Sequence, residues 1–279
     1  MTDLTRLGDL VERPDDVAPF NEATVSADAA GDTPRVLLVG DALDDGVPAD
    51  LARADGDAPV ELAVHPRARG AGAGRRLLED LLSRGETRFW AHGDLPAARA
   101  LAEAAGLEAV RTLLVLRLTF DGPAEPEQVP AGIALRSFRP ADTDAVIEVN
   151  GRAFASHPEQ GAMDRADFER RSAQPWFDPD GLFVAERGDR VVGFHWTKVE
   201  PDESGTAVGE VYVVGVDPSE QGSGLGTALT ARGLRHLHEV GAPVVDLYVE
   251  GDNAPALAVY RRLGFVDHAK DVLYAATGR

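Results

Sequence analysis

The chain contains no cysteine among its 279 residues. It therefore has no disulfide, no thiolate metal site and no cysteine nucleophile. No Gly-x-Ser-x-Gly motif supplies a serine nucleophile in its place, so any group transfer should be direct. His236 and His238 lie two residues apart in a helical pattern and should face different sides. For this reason we expect no metal site.

The sequence also lacks any apolar run near the roughly 20 residues of a membrane span. Residues 1–5 lack the basic and apolar regions of a signal peptide, so we expect a cytoplasmic protein without a membrane partner. Basic residues are few, with 28 Lys and Arg against 47 Asp and Glu, and the formal net charge is −19. This balance argues against nucleic acid as a partner. We interpret the acidic surface as a set of solvated loops that favours solubility, rather than as a trap for a cationic substrate.

Glycine is concentrated where a strand-like run meets a helical one. Residues 211–216 are apolar, the string Gln221-Gly-Ser-Gly-Leu-Gly-Thr227 follows, and residues 225–237 have helical apolar spacing. Such glycines let the backbone approach a ligand, and the first helical turn offers unpaired N–H groups to phosphate oxygens. The order of the glycines differs from the dinucleotide and P-loop fingerprints. Preceded by Val216-Asp-Pro, the pattern resembles the coenzyme A pyrophosphate loop of the GNAT N-acetyltransferases.

The same loop occurs twice in the chain. Val64-His-Pro-Arg-Ala-Arg-Gly-Ala-Gly-Ala-Gly74 matches Val216-Asp-Pro-Ser-Glu-Gln-Gly-Ser-Gly-Leu-Gly226 without a gap, which indicates internal duplication. A chain of 279 residues also suffices for two domains of ordinary size. Between the copies, residues 121–130 hold three prolines and three acids and should stay extended rather than pack. We predict an N-terminal domain over 1–122, a linker over 123–130 and a C-terminal domain over 131–279.

Alternating strand and helix patterns predict an α/β (α+β) class with two tandem GNAT domains. Each should be a mixed, mainly antiparallel sheet flanked by helices. The second half shows the complete order of elements, including a hairpin around Gly188. In the first half, residues 38–60 are so rich in Asp, Gly and Ala that one expected strand is hard to find. We also expect the strand before the first glycine loop to be poorly formed.

Amide formation from a thioester needs a base for the attacking amine and an acid for the leaving thiolate. Glu210 begins the strand beside the second loop, and Tyr260 lies in the following helix; both are positions where GNAT enzymes keep a base and an acid. In the first half the duplication places Ala58 opposite Glu210 and Ala102 opposite Tyr260. We therefore expect the N-terminal domain not to catalyse the reaction.

A closer resemblance covers nearly the whole chain. The first half contributes Phe89-Trp-Ala-His-Gly93, and the second half contributes five longer strings in the same order as in the mycothiol synthase family: Phe154-Ala-Ser-His-Pro-Glu-Gln-Gly161, Trp176-Phe-Asp-Pro-Asp-Gly-Leu182, Gly193-Phe-His-Trp-Thr-Lys198, Gly209-Glu-Val-Tyr-Val-Val-Gly-Val-Asp-Pro218 and Leu247-Tyr-Val-Glu-Gly-Asp-Asn253. That family consists of tandem GNAT proteins. The resemblance implies acetylation of the cysteinyl amine of cysteinyl-glucosaminyl-inositol by acetyl-CoA.

The resemblance also implies site residues, which are carried over motif by motif. The substrate contacts would be Glu22, Glu159, Lys198, Glu210 and Tyr248, with the substrate between the two domains. In the second half acetyl-CoA would use Val214, Gly215, Val216, Gln221, Gly222, Ser223, Gly224, Leu225, Gly226, Thr227, Asn253, Ala254, Pro255, Ala256, Leu257 and Ala258. The first-half equivalents are Leu62, Ala63, Val64, Gly70, Ala71, Gly72, Ala73, Gly74 and Arg75, although Arg69 replaces the glutamine-like start of the loop.

Two other functions remain open at this point. The chain could be a GNAT enzyme for another small amine, or a non-catalytic sensor that binds an acyl-CoA. The pair Glu210 and Tyr260 argues against the sensor, and the combined substrate contacts argue against a generic transferase. We expect a monomer whose ligands are acetyl-CoA and the small-molecule amine.

Overall fold

The computed structural model describes residues 2–15, 17–155, 161, 163–202 and 204–277. The chain divides into two compact units. Unit 1 comprises residues 1–114, 250–252 and 269–279, and unit 2 comprises residues 115–249 and 253–268. The domain boundaries at residues 123–130 stay a prediction. Among the described helices, none has the length and apolar character that a membrane crossing requires.

Unit 1 is a sheet with helices on both faces. Its helices are α1 Asp3–Asp15, α2 Glu22–Ala30, α3 Ala73–Ser83 and α4 Pro96–Ala104. Its strands are β1 Val36–Val39, β2 Asp50–Ala54, β3 Val60–Val64 and β4 Arg88–Ala91, together with residues 108–114 of β5 Glu108–Thr119. Residues 269–275 of β11 Val266–Ala275 also belong to unit 1 and pair antiparallel with β4.

Strand β2 corrects the expectation for residues 38–60, because it pairs antiparallel with both β1 and β3. The strand is difficult to recognise from its sequence, because Arg53 interrupts the apolar pattern. In the structure Arg53 is only 2% exposed. Asp28 and Asp55 accept hydrogen bonds from the guanidinium at 2.8 and 2.9 Å, which compensates its burial.

Strand β3 is likewise complete, contrary to the expectation of a poorly formed strand. It pairs antiparallel with β2 and parallel with β4. Glu61 stands in its middle with 1% exposure and breaks the apolar pattern. A buried carboxylate persists in a sheet only when it is hydrogen bonded, and His92 and Asn21 supply those bonds.

Unit 2 repeats the arrangement on a larger scale. Its helices are α5 Thr143–Ala153, α6 Arg165–Ser172, α7 Leu225–Glu239 and α8 Ala254–Arg262. Its strands are β6 Ala134–Ser137, β7 Leu182–Arg187, β8 Arg190–Pro201, β9 Ala207–Val216 and β10 Val244–Glu250, whose residues 244–249 belong to the unit. Strand order runs β10-β9-β8-β7-β6, antiparallel except for β9 with β10. The predicted fold class is confirmed.

The sheet of unit 2 packs helices α5 and α6 on one face and α7 on the other. Val146, Phe168 and Trp196 belong to the first core, and Leu225 and Leu229 to the second. His195 of β8 is fully buried, and its Nδ1 lies 2.8 Å from the carbonyl oxygen of Leu229 in α7. Burial lowers the pKa of His195 to about 4, so the ring is neutral at physiological pH. It is therefore a structural residue.

The proline-rich segment 121–130 forms neither helix nor strand, as expected from its composition. It is nevertheless anchored to the body of unit 2 by one of its acids. Arg235 of α7 donates a hydrogen bond to Oε1 of Glu127 at 2.9 Å, and its Nη1 forms an ion pair with Oε2 at 2.7 Å. The Glu127 side chain is only 14% exposed. The segment thus packs more closely than its sequence indicates.

Candidate active site

The parallel strands β9 and β10 define the candidate site. Their register runs from Val208 opposite Val244 to Glu210 opposite Asp246 and ends there, although β9 continues to Val216 and β10 to Glu250. Beyond Glu210 the strands form a fork, and alternate residues of β9 direct their N–H and C=O groups into it. Val214, Gly215 and Val216, predicted to bind the coenzyme, lie along this free edge.

A β-bulge accompanies the fork on the other side of β9. Trp196 of β8 is opposite Val213, and Thr197 is opposite Val211, so Tyr212 is the extra residue. Such a bulge shifts the alternation of side chains and re-aims them. Glu210 and Tyr212, which are two residues apart on β9, both approach the same cation, Lys198 of β8.

Lys198 is buried, with a side chain that is 6% exposed. Its Nζ atom lies 2.6 Å from Oε2 of Glu200 and 3.9 Å from Oε2 of Glu210. The same ammonium lies 5.2 Å from the ring centre of Trp176 and 5.8 Å from that of Tyr212. Two carboxylates and two aromatic faces stabilise a positive charge at this position. The structure therefore brings together two of the predicted substrate contacts, Lys198 and Glu210.

Tyr248 and Tyr260 occupy the other elements of the site. Tyr248 follows Asp246 by two residues on β10, so it shares a face with Asp246 in the forked region, and it is 53% exposed. Tyr260 lies on α8, the helix that follows β10. Burial raises the pKa of Tyr260 to about 12, so the phenol stays protonated at neutral pH.

The glycine loop after β9 has the backbone that its sequence predicts. Gly222 and Gly224 have φ angles of +79° and +89°, which residues other than glycine rarely adopt. Gly224 is the N-cap of α7 and has no side chain with which to cap it, while the Ser223 hydroxyl accepts a hydrogen bond from the Leu225 amide at 3.3 Å. The other amides of the first turn lie at the positive end of the helix dipole, a favourable environment for phosphate oxygens.

Sequence reasoning missed the side chains that anchor this loop. Asp217 accepts hydrogen bonds from Ser219 and, at 2.8 Å, from Arg152 of α5. Those from Ser219 and the charge of Arg152 lower the pKa of Asp217 to about 2. Arg187 of β7 donates to both carboxylate oxygens of Glu220, at 2.7 and 2.8 Å. The only sequence signal was the presence of an acid at each loop position, since the arginine partners are distant in sequence.

Asn253 to Ala258 also take the predicted position at a helix start. The side chain of Asn253 caps α8 by accepting a hydrogen bond from the Ala256 amide at 3.2 Å. Pro255 suits the first turn because backbone N–H groups there have no partner within the helix, so the N–H that proline lacks is not needed. Gly215 has an additional role in packing: a Cβ atom there would lie 2.4 Å from Cε1 of Phe194.

The first-half loop has the same backbone but different surroundings. Gly70 and Gly72 have φ angles of +75° and +83°, matching Gly222 and Gly224. Arg69, however, forms paired 2.8 Å hydrogen bonds with Asp15 and donates to the carbonyl oxygen of Val64 at 3.2 Å. A coenzyme that used this carbonyl would have to displace Arg69. Coenzyme binding by residues 62–64 and 70–75 stays a prediction.

The first half contains no acid or base at the two matched positions. Ala58 is an exposed turn residue, and Ala102 is 4% exposed in the core of unit 1. Glu22, the substrate contact expected from the first half, is the exposed first residue of α2. Glu159 lies outside the described residues. In the described ranges no group of three or more His, Asp or Glu side chains is arranged to hold a metal ion.

Comparisons with known proteins identify the family. The GNAT acetyltransferase family model matches residues 146–265, which include the fork, the loop and Tyr260. The mycothiol acetyltransferase of Thermomonospora curvata is 50% identical, over 96% of this chain and 91% of its own length. The chain belongs to the mycothiol acetyltransferase family. The relative from Catenulispora acidiphila, also a mycothiol acetyltransferase, is 47% identical over 96% of this chain and 92% of its own length.

Solved structures agree with this family assignment. A GCN5-related N-acetyltransferase from Sphaerobacter thermophilus is 25% identical, with a TM-score of 0.74, covering 98% of this chain and 91% of that one. A tandem GNAT protein of the clavulanic acid pathway has a TM-score of 0.65 at 20% identity, over 98% of this chain and 94% of its own. The latter likeness shows the tandem fold alone. As a member of the mycothiol acetyltransferase family, the chain is an N-acetyltransferase.

Proposed function

We propose that the chain transfers the acetyl group of acetyl-CoA to the cysteinyl amine of 1D-myo-inositol 2-(L-cysteinylamino)-2-deoxy-α-D-glucopyranoside, which gives mycothiol. The observation that carries this proposal is the 50% identity to a mycothiol acetyltransferase over 96% of the chain. The geometry of unit 2 supports it, because the buried Lys198 and the half-buried Glu210 lie where the strands of the sheet separate.

The coenzyme would lie in the fork with its pyrophosphate at the glycine loop. Amides of Gly222, Gly224, Gly226 and Thr227 would donate to the phosphate oxygens, and the free edge of residues 214–216 would pair with the pantetheine arm. Residues 253–258 would line the opposite side at the start of α8. A strand amide near the thioester would polarise its carbonyl group, which is where negative charge develops during the reaction.

Glu210 acts as the base in this mechanism. It removes a proton from the cysteinyl ammonium, directly or through a water molecule, and the freed amine attacks the thioester carbon. The carbon–sulfur bond then breaks, Tyr260 donates its phenolic proton to the departing thiolate, and the nitrogen loses its second proton to solvent, from which the phenol is reprotonated. The products are the amide and free coenzyme A, and no acyl-enzyme forms. We assign this chemistry to unit 2, because Ala58 and Ala102 replace the two groups in unit 1.

The other proposed contacts recognise the polyhydroxylated acceptor. Lys198 donates to hydroxyl or carbonyl oxygens, and Tyr248 offers an exposed phenol from β10. Glu22 and Glu159 are proposed on the family resemblance alone. Their carboxylates would accept hydrogen bonds from sugar or inositol hydroxyls, or from the ammonium.

The purified chain should acetylate the pseudodisaccharide when acetyl-CoA is supplied. Thiol alkylation followed by mass spectrometry separates N-acetylation from S-acetylation, because only the N-acetyl product keeps a free thiol; release of coenzyme A alone does not separate them. Glucosaminyl-inositol without the cysteinyl group serves as the matched acceptor and should react far more slowly. Equal rates with the two acceptors, or no reaction with the cysteinyl compound, would refute the proposed substrate.

Replacing Tyr260 with phenylalanine should lower kcat by about tenfold or more, because a positioned acid contributes at least this much to departure of the thiolate. The KM for both substrates should change little, since the ring remains. The pKa of about 12 also predicts that wild-type activity shows no decline from this group below strongly alkaline pH. Steady-state kinetics of both proteins across pH test this role; an unchanged kcat would mean that water protonates the thiolate.

A further inference from the structure

A buried ionic cluster in unit 1 takes no part in the chemistry proposed above. His92, directly after β4, lies between two carboxylates: its Nε2 is 2.6 Å from Oε1 of Glu61, and its Nδ1 is 3.0 Å from Oδ2 of Asp271. Glu61 is 1% exposed and Asp271 8% exposed. The cluster joins β3, the end of β4 and β11.

The cluster sets one cation against two carboxylates. Burial lowers the pKa of His92, but hydrogen bonds and Coulombic attraction from Asp271 and Glu61 outweigh it and raise the pKa to about 9. His92 is therefore an imidazolium at neutral pH. Three further N–H donors share the remaining negative charge: the Gly93 amide on Asp271, at 2.9 Å, and the backbone and side-chain amides of Asn21 on Glu61.

Asn21 connects the cluster to helix α2. Its Nδ2 donates to Oε1 of Glu61 at 2.7 Å, and its backbone N–H lies 3.2 Å from both carboxylate oxygens. The other end of the same side chain is the N-cap of α2, since its Oδ1 accepts from the Thr24 amide at 2.9 Å. Both ends of the Asn21 side chain are thus held. The next residue, Glu22, begins the helix.

We propose that the Glu61, His92 and Asp271 cluster is a positioning device that acts through Asn21 to set the place of Glu22 for the acceptor substrate. The inference rests on the proposed function, which makes Glu22 a substrate contact. The first turn of a short helix has little intrinsic order, because helix ends fray. Attachment of the N-cap to a buried ion cluster supplies that order. The three cluster residues are positioning residues, since they act only through Asn21.

The other aromatic and charged groups near His92 form ring contacts, hydrogen bonds and ion pairs with one another. The Trp90 ring of β4 stacks on the imidazole at 6.1 Å, and Arg111 of β5 lies 5.4 Å from the Trp90 ring centre. Asp94, after β4, accepts from Tyr274 at 2.7 Å and pairs with Lys270 and Arg99 at 2.8 and 2.9 Å. These contacts form a neighbouring cluster on the same strand, β11. They provide a matched control.

A double-mutant cycle between Asn21 and Glu22 tests the proposal in the full-length chain. Asn21→Asp keeps a good helix cap but places a carboxylate against Glu61, so α2 should shift away. We expect the acceptor KM to rise by about five- to tenfold, the loss of roughly one good hydrogen bond, with kcat and the acetyl-CoA KM within about twofold. Glu22→Ala should have a similar effect. The double variant should match Glu22→Ala, because residues that act through one contact are not additive.

The charge of His92 supplies a readout that a general loss of stability would not change. Since its folded pKa is raised, the attraction is complete below the ordinary pKa near 6.5 and is lost as pH rises through about 9. The acceptor KM of the wild type should therefore rise across that upper range relative to the KM of Glu22→Ala. Titration of the acceptor amine affects both proteins equally and cancels in this comparison. His92→Gln should remove the difference.

The control Tyr274→Phe removes a buried hydrogen bond from the neighbouring cluster and should leave the acceptor KM within about twofold. Additive effects in the cycle, an unchanged KM in Glu22→Ala, or an equal rise in Tyr274→Phe would each overturn the proposal. Thermal melts identify any variant that has lost its fold, and Asn21→Ser then serves as a gentler replacement that retains the cap. Failure of the proposed function is distinguishable, because wild-type protein would then not acetylate the pseudodisaccharide at all.

Discussion

Glu210→Gln should lower kcat/KM for the acceptor by about 10²- to 10⁴-fold, the usual contribution of a positioned base. The loss should be largest at low pH, where the acceptor is almost entirely ammonium and needs a base. At high pH more amine is already neutral, so the variant should recover part of its activity. The pH dependence of kcat/KM for both proteins provides the measurement.

Glu200→Gln is the matched control for this prediction. Glu200 also contacts Lys198, at 2.6 Å, but lies two residues farther along β8, and its side chain is 52% exposed. Its replacement removes the same charge from beside the lysine without removing the base, and should cost less than about tenfold in kcat/KM. An equal loss in the two variants, or an unchanged pH profile in Glu210→Gln, would mean that Glu210 only balances the charge of Lys198 and is not the base.

Gly224→Val should weaken acetyl-CoA binding by at least about 100-fold, because the glycine loop and the first turn of α7 lose their close approach to the phosphates. A Cβ atom at Gly224 would meet no protein atom within 4 Å, so the new side chain would enter the open space in front of the helix. The φ angle of +89° adds strain of about 1–2 kcal/mol, which a folded domain tolerates. Calorimetric titration with coenzyme A measures the affinity.

Two other glycines separate the effect on the ligand from backbone strain. Gly188, at the β7–β8 turn, has a φ angle of +61° and the same open surroundings, so Gly188→Val should cost stability but not coenzyme affinity. Gly72 is the first-half counterpart of Gly224, with a φ angle of +83°. Gly72→Val should leave turnover largely intact. Loss of turnover in Gly72→Val with retention in Gly224→Val would mean that the catalytic half has been assigned the wrong way round.

The site in unit 2 was largely predictable from the sequence because its parts are local. A strand, a glycine loop and a helix follow one another directly, and the positive φ angles of Gly222 and Gly224 are what such a string requires. Glu210 and Lys198 were found through family strings, and the register of β8 and β9 places them opposite one another. The aromatic rings of Trp176 and Tyr212 around Lys198 were not predicted, since one comes from a loop and the other from a bulge.

The first half shows where local patterns fail. Strand β2 was doubted because residues 38–60 are rich in Asp, Gly and Ala, and β3 was expected to be poorly formed; Arg53 and Glu61 stand within these two strands. Both side chains are almost fully buried and are satisfied by partners far away in sequence, Asp28 for Arg53 and His92 for Glu61. From the sequence alone, a charged residue is expected to lie at the surface. Only the folded chain shows the opposite charge that makes its burial tolerable.

The sequence by itself determined the duplication, the tandem fold class, the family and the half of the chain that carries an acid and a base. These depend on short-range spacing and on long strings of residues, both of which are visible without coordinates. The tertiary structure decided the fork beyond Glu210, the protonated state of Tyr260, the arginines that hold the glycine loop and the ion cluster behind Asn21. Each of these depends on burial or on charges brought together from distant segments, and neither burial nor proximity is a property of a residue until the chain has folded.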